Sequence, residues 1–183
     1  SFKNIFVVGI GLIGGSILKA IKVSNIPLAV YGLDLNEDVT RSANNLGLIN
    51  NPYNHIEKMS EESLVIFSVP SLSIEPAFKL IEEAVSYEQV TFTDTFSSKT
   101  KLIEYLKENK RGADEFIMSH PIAGSEKSGL SNYNSLLFKD KLVVLSPLNE
   151  DKDNKKLNKV KIFWELLGSK VSIMDPVEHD KVF

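Results

Sequence analysis

The sequence predicts an α/β fold built on a doubly wound, mostly parallel sheet, and three observations predict it. Apolar runs of strand length alternate with amphipathic stretches of helix length, the pattern of βαβ units around a parallel sheet. The first apolar run enters a G-x-G-x-x-G turn, Gly9 to Gly14, that opens a helix. The second run ends on an acid, Asp34, placed 20 residues after Gly14.

Taken in order, Asn4–Val8 is the first strand, rich in the β-branched and aromatic residues that suit a pleated surface. Leu12–Val23 then carries apolar residues at helical spacing, Leu28–Leu33 is a second strand, and Glu37–Leu46 a second helix, with Gly47 where a helix C-cap is favoured. The turn-rich stretch Asn50–Glu62 interrupts the alternation, which resumes with a strand at Leu64–Val69, a helix at Ile74–Val85, a strand at Val90–Thr93 and a helix at Thr100–Asn109. Phe116–Ser119 is a strand followed by a long loop, Pro121–Asp140; then come a strand at Leu142–Leu145, a helix at Lys155–Leu167 capped by Gly168, and a strand at Lys170–Met174. Asp175 and Pro176 suit the N-cap and first position of a further helix, with Glu178 completing a capping box.

Composition narrows the function classes. The chain of 183 residues has a formal net charge of −3 and 43% hydrophobic residues, which suggests neither nucleic-acid binding nor disorder. Its lysine-rich stretch, Lys152 to Lys161, is interleaved with Glu150, Asp151 and Asp153, the pattern of a solvated helix face. There is no cysteine, so disulfides and thiolate metal sites are excluded, in keeping with a cytoplasmic location. Three scattered histidines offer no metal-ligand spacing, so no metal is expected. The apolar stretch Ile5 to Leu18 is shorter than the ~20 residues of a membrane span, and no membrane association is expected.

Strand, glycine turn and acid together read as a dinucleotide site of the Rossmann type. Gly9 permits the tight turn, Gly11 lets the backbone approach a pyrophosphate, and Gly14 lets helix and strand come close. Leu12 and Ile13 stand at the opening of the helix, whose free N–H groups and positive dipole end would hold the phosphates. Asp34 would accept hydrogen bonds from the adenine ribose and repel a 2′-phosphate, favouring NAD over NADP. Ser68, Val69 and Pro70 end a strand at the sheet's carboxyl edge, where such sheets bind ligands, and are further cofactor contacts.

The densest cluster of titratable and hydroxyl groups is Ser119 to Gly129. His120 ends a strand and precedes a proline, so it is held at the carboxyl edge; an ordinary histidine pKa of ~6.5 suits proton transfer near neutrality. Spacing alone leaves a catalytic and a structural role for His120 equally open.

The run His-Pro-x-Ala-Gly-x-Glu-x-Ser-Gly, His120 to Gly129, resembles the signature of the prephenate/arogenate dehydrogenase family. Asp94-Thr95-Phe96-Ser97-Ser98-Lys99 is similar to a second family element, Asp-x-x-Ser-x-Lys, with Phe96 where the family usually has glycine. The opening Gly-Ile-Gly-Leu-Ile-Gly-Gly-Ser and the stretch Pro176 to Asp180 also resemble the family, so the likeness spans essentially the whole chain.

The resemblance implies oxidative decarboxylation of prephenate, or of arogenate, with hydride transfer to NAD, on the route to tyrosine. It implies His120 as proton acceptor, Ser97 as a hydrogen-bonding partner of the reacting hydroxyl or of His120, with Ser98 as its alternative, and Glu126 at the pocket entrance. Ser125 and Lys127 join these as substrate-binding candidates, whereas His55 and His179 read as isolated, structural or exposed. It further implies a nucleotide-binding domain over residues 1–174, with 175–183 starting a helix into a C-terminal helical domain through which the full-length protein forms a homodimer. On that basis these residues alone are expected to bind NAD, to lack activity and to expose an apolar patch near Val182 and Phe183. The rival readings are a short-substrate dehydrogenase of the β-hydroxyacid or imine-reductase kind, and a non-catalytic NAD-sensing module.

Overall fold

A computed structural model describes residues 1–52, 59, 62–82, 85, 90–109, 115–124, 132–148 and 155–183. Strands β1 (Asn4–Val8), β2 (Ala29–Leu33), β3 (Asn51–Pro52), β4 (Ser63–Phe67) and β5 (Thr91–Asp94) form a parallel sheet in the order β3-β2-β1-β4-β5. The order reverses beside β1, which opens a crevice at the carboxyl ends of β1 and β4.

A second group continues past β5: β6 (Ile117–Pro121), β7 (Leu142–Pro147) and β8 (Lys170–Ile173). The Phe92 N–H donates to the Glu115 carbonyl at 2.8 Å, and Phe92 bridges Phe116 in the parallel sense, so β6 lies next to β5. Strands β6 and β7 pair antiparallel, whereas β7 and β8 pair parallel. The difference follows from the connections. Helix α5 (Lys155–Leu166) crosses from β7 to β8, and a parallel return needs such a crossover, whereas a loop alone suffices for an antiparallel one.

Both faces are covered, as in a doubly wound sheet. Ile5 and Val7 of β1 join α1 (Leu12–Ser24) and α5 in a core that includes Ile17, Leu18, Phe138, Val160 and Trp164. Phe6 and Val8 point to the other face, into a core with Phe67, Phe78, Phe92 and Phe116 packed against α3 (Ile74–Lys79) and α4 (Thr100–Glu108). This alternation is the period of two expected of a strand covered on both sides.

The expected helix at Ile74–Val85 is shorter, ending at Lys79. Beyond it the Ile81 N–H bonds back only three residues, to the Phe78 carbonyl, which tightens the last turn. Helix α2 (Glu37–Asn45) is capped by the Asn36 side chain, which accepts from the Asp38 N–H. Helix α6 (Pro176–Val182) is capped by Asp175, which accepts from the N–H groups of Val177 and Glu178. Among the described residues, no helix is long and apolar enough to cross a membrane.

Candidate functional site

The glycine turn is shaped by close approach. Gly9 has φ +92°, and a β-carbon there would lie 2.6 Å from the Ser68 carbonyl oxygen. At Gly14 it would lie 2.0 Å from the Gly9 carbonyl oxygen, so only glycine lets α1 start against the turn. Gly11 differs: a β-carbon there would meet nothing within 4 Å, because this residue faces an open cleft.

That cleft has two parts. One, about 200 Å³, is lined by Gly9, Gly11, Asp34, Leu35, Ser68, Val69 and Pro70, among others. The second, about 370 Å³, is lined by Gly11, Leu12, Ile13, Ser68, Val69, Pro70, Ser97, His120 and Ala123, among others. Gly11 and the segment Ser68–Pro70 border both, so the two lie on either side of the start of α1. An extended ligand with a central diphosphate fits this arrangement: one end at Asp34, the other at His120, and the charged centre at a helix start that has no acidic residue in its first turn and no side-chain cap.

Asp34 has a second task. Its Oδ2 accepts the Ile10 N–H at 2.7 Å and its Oδ1 accepts the Asn36 N–H at 2.9 Å, so the carboxylate also fastens the glycine turn to the end of β2. Ser68 is held by a 3.1 Å hydrogen bond between its hydroxyl and that of Thr95.

His120 sits on a framework that its neighbours make rigid. Ser119, fully buried, donates its N–H to Asp94 Oδ1 at 3.0 Å and accepts the Lys99 ammonium at its carbonyl. Its hydroxyl bonds that of Thr93 and accepts the Trp164 Nε1–H at 3.1 Å. Asp94 and Lys99 form an ion pair at 2.6 Å with both side chains fully buried, and Lys99 Nζ also donates to the Phe96 carbonyl at 2.8 Å. Burial pushes the Asp94 carboxyl up and the Lys99 ammonium down from their ordinary ranges, and each partner's charge opposes the other's shift.

The same surroundings act on His120. Burial, then the Lys99 ammonium, then His179 push its pKa down to about 4, with Asp180 pulling the other way. The imidazole is therefore neutral through the physiological range, and the sequence expectation of titration near 6.5 is corrected downward.

His179 corrects a second expectation. It is fully buried rather than isolated, and its Nε2 lies 2.9 Å from His120 Nδ1. Chain neighbours of His179 suggest a cap and a helix start, but nothing in them foretells a contact across 59 residues.

Ser97 is exposed and lines the same cavity as His120; among the described residues no hydrogen bond joins the two. Ser98 donates instead to Asp180 Oδ2 at 3.1 Å, so its hydroxyl is engaged away from the cavity. Phe96, where glycine was expected, has no positive φ and buries its ring in the aromatic core, so the local backbone is unstrained. Ser125, Glu126, Lys127 and His55 lie outside the described residues. Asp94 and Lys99, quoted in the motif but given no role, emerge as the buried support of the site.

Residues 17–173 match the family described as prephenate dehydrogenase, nucleotide-binding domain. The prephenate dehydrogenase of Bacillus subtilis is 29% identical over 98% of this chain and 48% of its own length. The cyclohexadienyl dehydrogenase of Zymomonas mobilis is 30% identical over 99% of this chain and 61% of its own. Among solved structures, prephenate dehydrogenase from A. aeolicus in complex with hydroxyphenyl propionate and NAD+ superposes with a TM-score of 0.85 at 37% identity, covering 100% of this chain and 63% of that one. The chain thus spans about half the length of the Bacillus relative.

Proposed function

Because the chain belongs to the prephenate dehydrogenase family, matching its nucleotide-binding domain, we propose that it is the NAD-binding part of an enzyme that oxidises prephenate to 4-hydroxyphenylpyruvate and carbon dioxide. The observation that carries this reading is the shared cleft, with Gly11 at its centre, Asp34 on one side and His120 on the other. Solved with both NAD+ and an aromatic acid, the A. aeolicus relative supports the choice of cofactor and substrate class.

Gly11, Leu12 and Ile13 present the start of α1 to the diphosphate, and Asp34 accepts from the adenine ribose. NAD supplies the hydride acceptor. His120 takes the proton of the substrate hydroxyl as the ring carbon becomes a carbonyl, and Ser97, on the rim of the same cavity, hydrogen-bonds that oxygen. Loss of the ring carboxylate as carbon dioxide leaves its bonding pair in the ring, which becomes aromatic, and the carbonyl oxygen ends as a phenol. Glu126, Ser125 and Lys127 complete the substrate side of this reading, by family resemblance.

The solved arogenate dehydrogenase of Synechocystis, 25% identical with a TM-score of 0.83, supports arogenate as an alternative substrate. An assay of the full-length protein, following NADH with prephenate and with arogenate in parallel, tests both; no NADH with either substrate overturns the reading. We place the nucleotide-binding unit at residues 1–174 and the start of a second unit at 175–183. A cytoplasmic homodimer belongs to the same reading, supported by the lack of cysteine and by exposed Ile173, Val177, Val182 and Phe183 along β8 and α6. Light scattering of the full-length protein tests the dimer.

A further inference from the structure

We infer that His179 and Asp180 hold His120 in one tautomer, protonated on Nδ1, so that Nε2 is presented to the cleft as the lone-pair nitrogen. The inference rests on the reading of His120 as proton acceptor, and adds two positioning residues to it.

The argument starts at the carboxylate. Asp180 Oδ1 accepts the Lys99 N–H at 2.9 Å, and Oδ2 accepts the Thr100 N–H at 2.9 Å, the Thr100 hydroxyl at 2.7 Å and the Ser98 hydroxyl at 3.1 Å. Burial alone would raise its pKa, but the donors from Thr100, Lys99 and His179 outweigh it and hold the carboxyl well below the usual range. An ionised carboxylate only accepts, so His179 Nδ1, 2.8 Å from Oδ1, must carry the proton. In this proposal His179 carries a single N–H, the one on Nδ1, which leaves its Nε2 as an acceptor. His120 Nδ1, 2.9 Å away, is then the donor, and its own Nε2 is unprotonated.

His179 has no exposed surface, so water does not substitute for a mismatched contact. The rings meet edge-on at 68°, and Phe183 stands edge-on to His120 with centroids 5.5 Å apart. Because Asp180 binds the first turn of α4 as well as His179, it ties α6 to the strand end beside the cleft. Among the described residues, the charged groups facing His120 are Lys99, from the β5–α4 connection, and Asp180, from α6. When Nε2 takes up a proton, the resulting cation donates from Nδ1 into a chain that ends on a carboxylate, and the ring does not move.

The tautomer itself is the test. Long-range proton–nitrogen NMR of the full-length protein, with histidines assigned by His120→Asn and His179→Gln, shows which ring nitrogen is protonated. His120 is expected as Nδ1–H at neutral pH, and in His179→Leu it should move toward Nε2–H, the form an imidazole prefers in water. His179→Gln, whose carbonyl can accept where Nε2 did, should restore Nδ1–H. In Asp180→Asn the amide oxygen is drawn to the donor-rich Oδ2 position, which turns the NH₂ to His179 and should reverse both rings, so this variant decides if His179→Leu fails to fold. In turnover, His179→Leu should lower kcat by about 10–100-fold, within the range of general acid–base catalysis, with NAD affinity unchanged and His179→Gln recovering most of the loss. His120 as Nε2–H in the unmodified protein, or a tautomer indifferent to both His179→Leu and Asp180→Asn, overturns the proposal. Normal turnover in His120→Asn overturns the proton-acceptor reading instead, and the spectra then decide the tautomer alone.

Discussion

Lys99 Nζ lies 2.6 Å from Asp94 Oδ2 with neither side chain exposed to solvent. The two residues span the turn after β5, and both side chains also bond the backbone of Phe96 within that turn and of Ser119, the residue before His120. Removing one partner leaves the other as a buried unpaired charge, which costs about 3–5 kcal/mol. We expect Lys99→Met and Asp94→Asn each to destabilise the protein on that scale in urea denaturation. The double variant should lose less than the sum, because it leaves no unpaired charge. Additive losses would show that the pair acts as two separate hydrogen-bonding groups.

His120 should remain a neutral base to low pH. Its pKa is pushed down to about 4, so turnover should hold level from pH 8 to about 5 and fall only as pH approaches 4. A stability effect of opposite origin accompanies it. Between the unfolded value of 6.5 and the folded value of about 4 the unfolded chain binds the extra proton, so stability declines as pH falls through that window and His120 adds no further loss below it. Turnover measured in short pH-jump assays separates the two; an acid limb centred near 6.5 would contradict the burial of the ring beside Lys99.

Preference for NAD over NADP should follow from Asp34, whose carboxylate borders the cleft beside Gly11. Calorimetry should show NAD binding tighter by at least about tenfold, or ~1.4 kcal/mol, and Asp34→Asn should narrow the gap by removing the charge that opposes a 2′-phosphate. Because Asp34 also accepts the Ile10 N–H, Asp34→Ala should in addition lower stability by roughly 1–3 kcal/mol, as expected when a partly buried donor loses its acceptor.

Much of this was legible in the sequence. Continuous apolar runs such as Asn4–Val8 and the glycine turn fix strand, helix and cleft locally, because propensity, spacing and turn chemistry within a few residues agree. What the sequence did not disclose depends on distant parts of the chain. The two-residue β3 is too short to leave a periodic signal, and nothing near Tyr133 in sequence foretells that its ring packs against Gly15 with its hydroxyl on the Ile10 carbonyl. The downshift of His120 arises first from burial, which a histidine's neighbours along the chain do not report, and then from Lys99 and His179, which lie 21 and 59 residues away in sequence.

Two glycines of the same turn should separate folding from binding. At Gly14 a β-carbon would sit 2.0 Å from the Gly9 carbonyl oxygen, a backbone atom that cannot swing aside. Gly14→Ala must therefore displace α1 from the end of β1, and overpacking of this kind typically costs about 1–3 kcal/mol or more. At Gly11 the backbone is extended, with φ −74° and ψ −160°, and the added carbon meets no protein atom within 4 Å. Gly11→Ala should consequently fold with near-normal stability, since alanine adopts that conformation without strain and even reduces the freedom of the unfolded chain. The methyl group would instead occupy the surface that the diphosphate must approach, so NAD affinity should fall by about tenfold or more, ~1.4 kcal/mol or above. Thermal denaturation and NAD titration on the two variants check the separation. Equal NAD affinity in Gly11→Ala, with stability unchanged, would mean that the diphosphate does not cross the cleft at this residue.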